Sequence, residues 1–211
     1  MRMNKTMQLT SKRNFGALLA LVFCMPLLPG CAFHGDGVSG HVYEIIDPNK
    51  PVEGENIRPL ADAYVVAIWD GTVPLPASAT SVCLAITLVR SDANGQFHVP
   101  GWFKFPKLYP VTEVRQPNGF AHKAGFERIF PTSNSSAYDR YMKKSTESPE
   151  LRLRYLARTI SRICSDRESE EARMLAPLYT TVYEEAKLLP ATSGSARGDF
   201  DQIKYEATKP N

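Results

Sequence analysis

"VCLAITLVRSDANGQFHV", residues 82–99, alternates with a period of two. Val82, Leu84, Ile86 and Leu88 fall on one face of an extended chain, and Cys83, Ala85, Thr87 and Val89 on the other. The alternation stops at Ser91–Gly95, where Asp92 and Asn94-Gly95 are residues that build tight turns, and resumes at Phe97 and Val99. The stretch therefore reads as a β-hairpin and sets the expectation of an antiparallel β fold.

Working outward, "LADAYVVAIWD" (60–70) places Tyr64, Val66 and Ile68 on one face and Val65 and Trp69 on the other. Apolar residues on both faces are the pattern of a strand buried between two layers. "VSGHVYEI" (38–45) alternates Val38, Gly40 and Val42 against Ser39, His41 and Tyr43, and reads as a first strand. "IDPNKPVEGENIRP" (46–59) and "GTVPLPASATS" (71–81) read as connections, since proline and glycine punctuate them. "GWFKFPKLYPVTEV" (101–114) and "GFAHKAGFERIF" (119–130) hold two or three further short strands.

Beyond Pro131 the composition shifts, and residues 131–147 read as a polar connector. Ser148-Pro149-Glu150 is a helix start, with an N-cap serine, a proline in the first turn and an acid near the positive dipole end. Leu153, Leu156, Ala157, Ile160, Ile163 and Cys164 then recur as one apolar stripe, with Arg152, Arg154, Arg158 and Arg162 off it and expected in solvent. A second helix carries Ala172, Leu175, Tyr179, Val182, Ala186 and Leu189, and Pro177 is expected to kink or split it. Residues 148–189 thus read as a helical hairpin packed on the sheets. The tail, 190–211, is polar and expected to be disordered.

The first 30 residues carry Arg2, Lys5, Lys12 and Arg13, no acid, and an apolar run from Phe15 to Leu28. That is a basic flank followed by a run shorter than the ~20 residues of a spanning helix, the pattern of an export signal. Leu28-Pro29-Gly30-Cys31 resembles the bacterial lipobox. The resemblance implies cleavage of residues 1–30, a lipidated Cys31, and attachment to a membrane through acyl chains, with 31–37 as a tether. Ala32 after the cysteine implies the outer membrane, facing the periplasm. Cleavage would leave 181 residues, and losing four basic residues takes the formal charge from +3 to −1, which gives no case for nucleic acid. Cys83 and Cys164 remain, and an oxidising compartment makes a disulfide between them the expectation. It would join the first helix to the sheets.

Gly40-His41-Val42, Pro59-Leu60-Ala61-Asp62-Ala63-Tyr64-Val65 and Ser91-Asp92-Ala93-Asn94-Gly95-Gln96-Phe97 together resemble the carboxypeptidase regulatory-like domain. Ser91 stands where threonine is common in that family, and long insertions separate the blocks. The resemblance covers 38–130 and implies a transthyretin-like antiparallel β-sandwich without catalytic residues of its own. The fold expected is therefore mostly β with α, a transthyretin-like sandwich followed by helices.

Chemistry-bearing residues are sparse. His34, His41, His98 and His122 lack local ligand spacing, and no glycine-rich phosphate loop or zinc-type cysteine pair exists, so neither metal nor cofactor is expected. No serine sits in a nucleophile elbow. Trp102, Phe103, Lys104, Phe105 and Tyr109 form an aromatic stretch that either alternates between core and solvent or presents a platform for glycans. The expected role is a non-catalytic binding or scaffold module that contacts another protein of the bacterial cell envelope. Glycan binding around Trp102 is the alternative, and an envelope hydrolase the least favoured one.

Overall fold

The computed structural model describes residues 33–104, 111–130, 138–163 and 169–209. Its strands are β1 (Phe33–Gly35), β2 (Val38–Ile45), β3 (Ile57–Pro59), β4 (Tyr64–Leu75), β5 (Ser78–Arg90), β6 (Gln96–Val99), β7 (Trp102–Lys104), β8 (Glu113–Val114), β9 (Asn118–His122), β10 (Phe126–Ile129) and β11 (Arg140–Lys144). Three helices follow: α1 (Pro149–Ser161), α2 (Ser169–Lys187) and α3 (Gly194–Thr208). None of the described helices is long and apolar enough to cross a membrane.

Two sheets carry the architecture. The first runs β10–β11–β2–β3, with β6 also pairing β2. The second has β4 paired to β5 on one edge and to β9 and β8 along the other. Val38, Val42, Phe97, Val99 and Met142 of the first sheet meet Val65, Ala67, Trp69, Ala85 and Ala121 of the second, and this is the inter-sheet core. The opposite face of the second sheet presents Tyr64, Val66, Ile68, Ile86 and Phe120 to Leu153, Leu156, Ile160, Leu175, Leu178 and Val182 of the helices. Strand β4 is therefore buried on both faces, as its double apolar pattern requires. Each large side chain so buried contributes about 1.5–3 kcal/mol.

The turn expected at Asp92–Gly95 forms, but residues 82–99 are not a hairpin: β5 pairs with β4 in the second sheet and β6 with β2 in the first, so the chain crosses between the sheets there. The three sequence blocks around this turn meet in space. Ser91 is buried; its Oγ donates to Leu60 O at 2.7 Å and accepts from Ala63 N at 3.0 Å. Asp92 Oδ1 accepts from the backbone N–H groups of Asn94 and Gln96, closing the turn. Gly95 has φ +73°, and a Cβ there would lie 2.5 Å from Val42 O, so both conformation and space demand glycine. Ser91→Ala should cost about 1–3 kcal/mol, because it leaves a buried N–H and a buried C=O short of a partner. Urea unfolding of the two proteins measures this, with Ser91→Thr as the variant that keeps the bonds.

Several elements differ from the sequence reading. Residues 71–75 and 78–81 are strand, not loop: β4 and β5 continue as a long hairpin paired out to Leu75 and Ser78, with the turn at Pro76-Ala77. Phe33–Gly35, read as tether, is a strand paired with β7. The polar connector contains β11, which pairs in parallel with β2 and buries Tyr141 and Met142. Pro177 lies inside an unbroken α2. The tail read as disordered contains α3, whose N-cap Ser193 accepts from Ala196 N and which buries Ala196 and Ile203 in the helical core. The Ser148 cap does form, accepting from Leu151 N ahead of Pro149.

Candidate functional site

Because Val38 and Val42 take the core face of β2, Ser39, His41 and Tyr43 stand on the outer face of the first sheet. The antiparallel register sets His98 opposite Ser39 and Gln96 opposite His41. Arg90 at the end of β5, Asp92 of the turn and Asp139 ahead of β11 border this patch, and together they line an open groove of about 770 Å³.

The groups in the groove are held but not exhausted. Ser39 Oγ and His98 Nδ1 lie 2.8 Å apart. Asp139 Oδ1 accepts from His41 N at 2.9 Å and sits 3.6 Å from its Nδ1. The Arg90 guanidinium donates to the Tyr64 hydroxyl and covers its ring at 4.4 Å. Among the described residues, His98 Nε2, the Gln96 amide and Oδ2 of both aspartates make no hydrogen bond within the chain. A column of rings leads away from the groove: His41 stacks on Tyr43 at 5.4 Å and Tyr43 on Tyr141 at 5.6 Å. Burial, and then the Asp139 carboxylate, raises both tyrosine hydroxyls above the usual phenol range.

A serine 2.8 Å from an imidazole is half of a nucleophile–base arrangement. The other half is a group that orients the imidazole, and no described residue bonds His98 Nε2. Nor do the described residues assemble three or more histidine, cysteine or carboxylate side chains able to hold a metal. The groove is built to make hydrogen bonds.

A second polar cluster is buried between sheet and helices. His122 ends β9 and is 0% exposed. Its Nε2 faces Glu185 Oε2 at 3.9 Å. Arg152, read as a solvent-facing arginine, is 3% exposed; its Nε and Nη2 reach Glu185 Oε1 at 2.8 and 2.6 Å, and its Nη1 donates to Phe126 O at 2.7 Å. Glu185 Oε1 also accepts from Gly125 N. The Arg152 guanidinium covers the ring of Tyr155, whose hydroxyl burial pushes up to about 12. The cluster ties α1 and α2 to the β9–β10 turn.

Burial, and then the Arg152 charge, pulls the His122 imidazole down to about 3 from 6.5. The unfolded chain then binds the extra proton first, so this contribution is whole above pH 6.5 and is lost as pH falls toward 3. Stability should fall by about 2 kcal/mol between pH 7 and pH 5, at roughly 1.4 kcal/mol per pH unit below 6.5. Denaturant titrations across that window test this, and His122→Leu should flatten the slope.

The aromatic stretch does not share one face. Trp102 is half-buried and meets Trp69 edge-on at 6.1 Å, whereas Phe103 is 62% exposed. Lys104 Nζ reaches Glu171 Oε1 of α2 at 2.9 Å. Phe105 and Tyr109 lie outside the described residues, as do Cys31, Cys164 and residues 1–30. His34 lines a smaller hollow of about 310 Å³ with Trp69 and Arg115. Cys83, read as sharing a face of β5 with Ala85, instead joins Ile86 and Leu88 against the helical core that also holds Ile163, because an irregularity opposite Trp69–Asp70 shifts the alternation. The chain matches no protein-family model and no curated protein.

Proposed function

We propose that this chain is a lipid-anchored protein of the bacterial cell envelope, a non-catalytic binding or scaffold module on a transthyretin-like sandwich. The single observation that carries the binding role is the outer-face groove, where three strands, the Asp92 turn and the segment ahead of β11 converge seven polar side chains, four of them with bonding capacity left over. The anchor rests on the lipobox-like Leu28–Cys31 and its basic, apolar leader. The fold assignment rests on the three sequence blocks, whose Ser91, Gly95 and Phe97 make the tie, the turn and the core contact that such motifs supply. Acyl chains on Cys31 give the membrane attachment, stable once two or more chains are present. The outer membrane, facing the periplasm, is the site of action, and the groove receives its partner there. Cys83 pairs with Cys164.

In-cell crosslinking tests both halves. A photoreactive residue at Gln96 of the full lipoprotein should capture one envelope component that the same residue at Arg197, on the helical layer, does not. Equal capture from both positions would sink the binding role. Cys31→Ser should leave an unprocessed, unlipidated precursor, and acylation of that variant would refute the anchor.

A further inference from the structure

We infer that the outer-face groove takes an uncharged, hydroxyl-rich sugar; this rests on the binding role just proposed and names its ligand. The chemistry of the lining selects the class. One guanidinium, Arg90, faces two carboxylates, Asp92 and Asp139, so the groove has no excess positive charge to hold a phosphate or sulfate. The apolar lining is Phe97, which is 5% exposed and belongs to the core, so an acyl chain or apolar peptide finds no surface.

Donors and acceptors are mixed within the patch. Asp92 Oδ2 and Asp139 Oδ2 accept, the Gln96 amide does both, and the second imidazole nitrogen of His98 completes the set. An amine would satisfy only the acceptors. A hydroxyl gives and takes at one atom, so vicinal hydroxyls suit a mixed set in which every member stays paired. The acceptors are also fixed in place: each aspartate has its other oxygen tied to backbone N–H, which removes part of the ordering cost of binding. This site differs from the Trp102 stretch, which spends its indole on the core.

The test is a titration of the full exported protein in a non-sugar detergent, followed by NMR or calorimetry. The probes are N-acetylglucosamine trimer, cellotriose, maltotriose and mannotriose, with inorganic phosphate and spermine as charged rivals. At least one uncharged trisaccharide should bind, and Gln96→Ala and His98→Ala should each weaken it about three- to tenfold. Gln96→Ala removes no hydrogen bond within the described chain and His98→Ala only the exposed one to Ser39 Oγ, and unchanged denaturation midpoints check that the fold is intact. No binding by any of the four sugars, binding unaffected by both substitutions, or preference for phosphate or spermine would overturn the inference. Capture of an envelope protein from Gln96 together with no sugar binding would overturn the sugar alone and leave the binding role standing. Equal capture from Gln96 and Arg197 would remove the role itself.

Discussion

Arg152→Met should lower the stability of the fold by about 3–5 kcal/mol, more than any other single charged-residue change here. Arg152 is 3% exposed and its guanidinium is divided between the Glu185 carboxylate and Phe126 O. Removing it strands Glu185, whose side chain is 11% exposed, beside a neutral imidazole that cannot compensate its charge. The cost is that of an unpaired buried anion, and the attraction lost is the smaller part. Arg152→Met with Glu185→Leu should recover most of the loss, since apolar groups of similar volume replace the whole pair. Arg152→Lys should not rescue fully, because an ammonium cannot bridge the carboxylate and the carbonyl in one plane. Calorimetry of the three variants decides this: a double variant as unstable as the single one would mean that packing, and not charge, sets the cost. Burial still holds the His122 imidazole low in this variant, but without the Arg152 charge beside it the acid-linked loss should end at a higher pH.

Local pattern disclosed the parts of the fold whose burial repeats within one element. The double apolar alternation of Tyr64–Trp69, the turn at Asp92–Gly95 and the Ser148-Pro149 cap all came through, because each is specified by neighbours in sequence. What stayed hidden depends on partners far along the chain. In β11, Tyr141 and Met142 are the two buried side chains among charged ones, and the strand exists because β2, about a hundred residues away, offers its free edge. In α3 two buried residues, Ala196 and Ile203, are too few to make a stripe. Arg152 looked solvated because nothing local announces Glu185, 33 residues on.

The groove was hidden for the same reason. Ser39, His41, Gln96 and His98 each sit on the polar side of a short strand, which by itself signals only solvent. Register alone, pairing Ser39 with His98 and His41 with Gln96, turns four separate residues into one patch. Asp139 then joins from a segment that reads as a linker. A binding surface made across strands leaves no motif along any one of them.

Replacing both Cys83 and Cys164 by alanine should cost on the order of 4 kcal/mol under oxidising conditions, the second large effect expected here. The chain-entropy argument sets the size: a bond between 83 and 164 closes a loop of about eighty residues in the unfolded chain, and that restriction disappears with the bond. Position makes the pairing reasonable. Cys83 stands on the face of β5 that packs on the helices, and buried Ile163, next to Cys164, belongs to the same core. The proposed bond would then join the far end of α1 to the second sheet, while Arg152 near its start joins the helices to the β9–β10 turn. Two ties at opposite ends of one helix should couple. Arg152→Met ought to be tolerated better with the disulfide than without it, so the triple variant should lose more than the sum of its parts. Intact mass under non-reducing conditions comes first. Two alkylatable thiols at Cys83 and Cys164 would refute the pairing, and simple additivity in the triple variant would show that the two ties hold the helical layer independently.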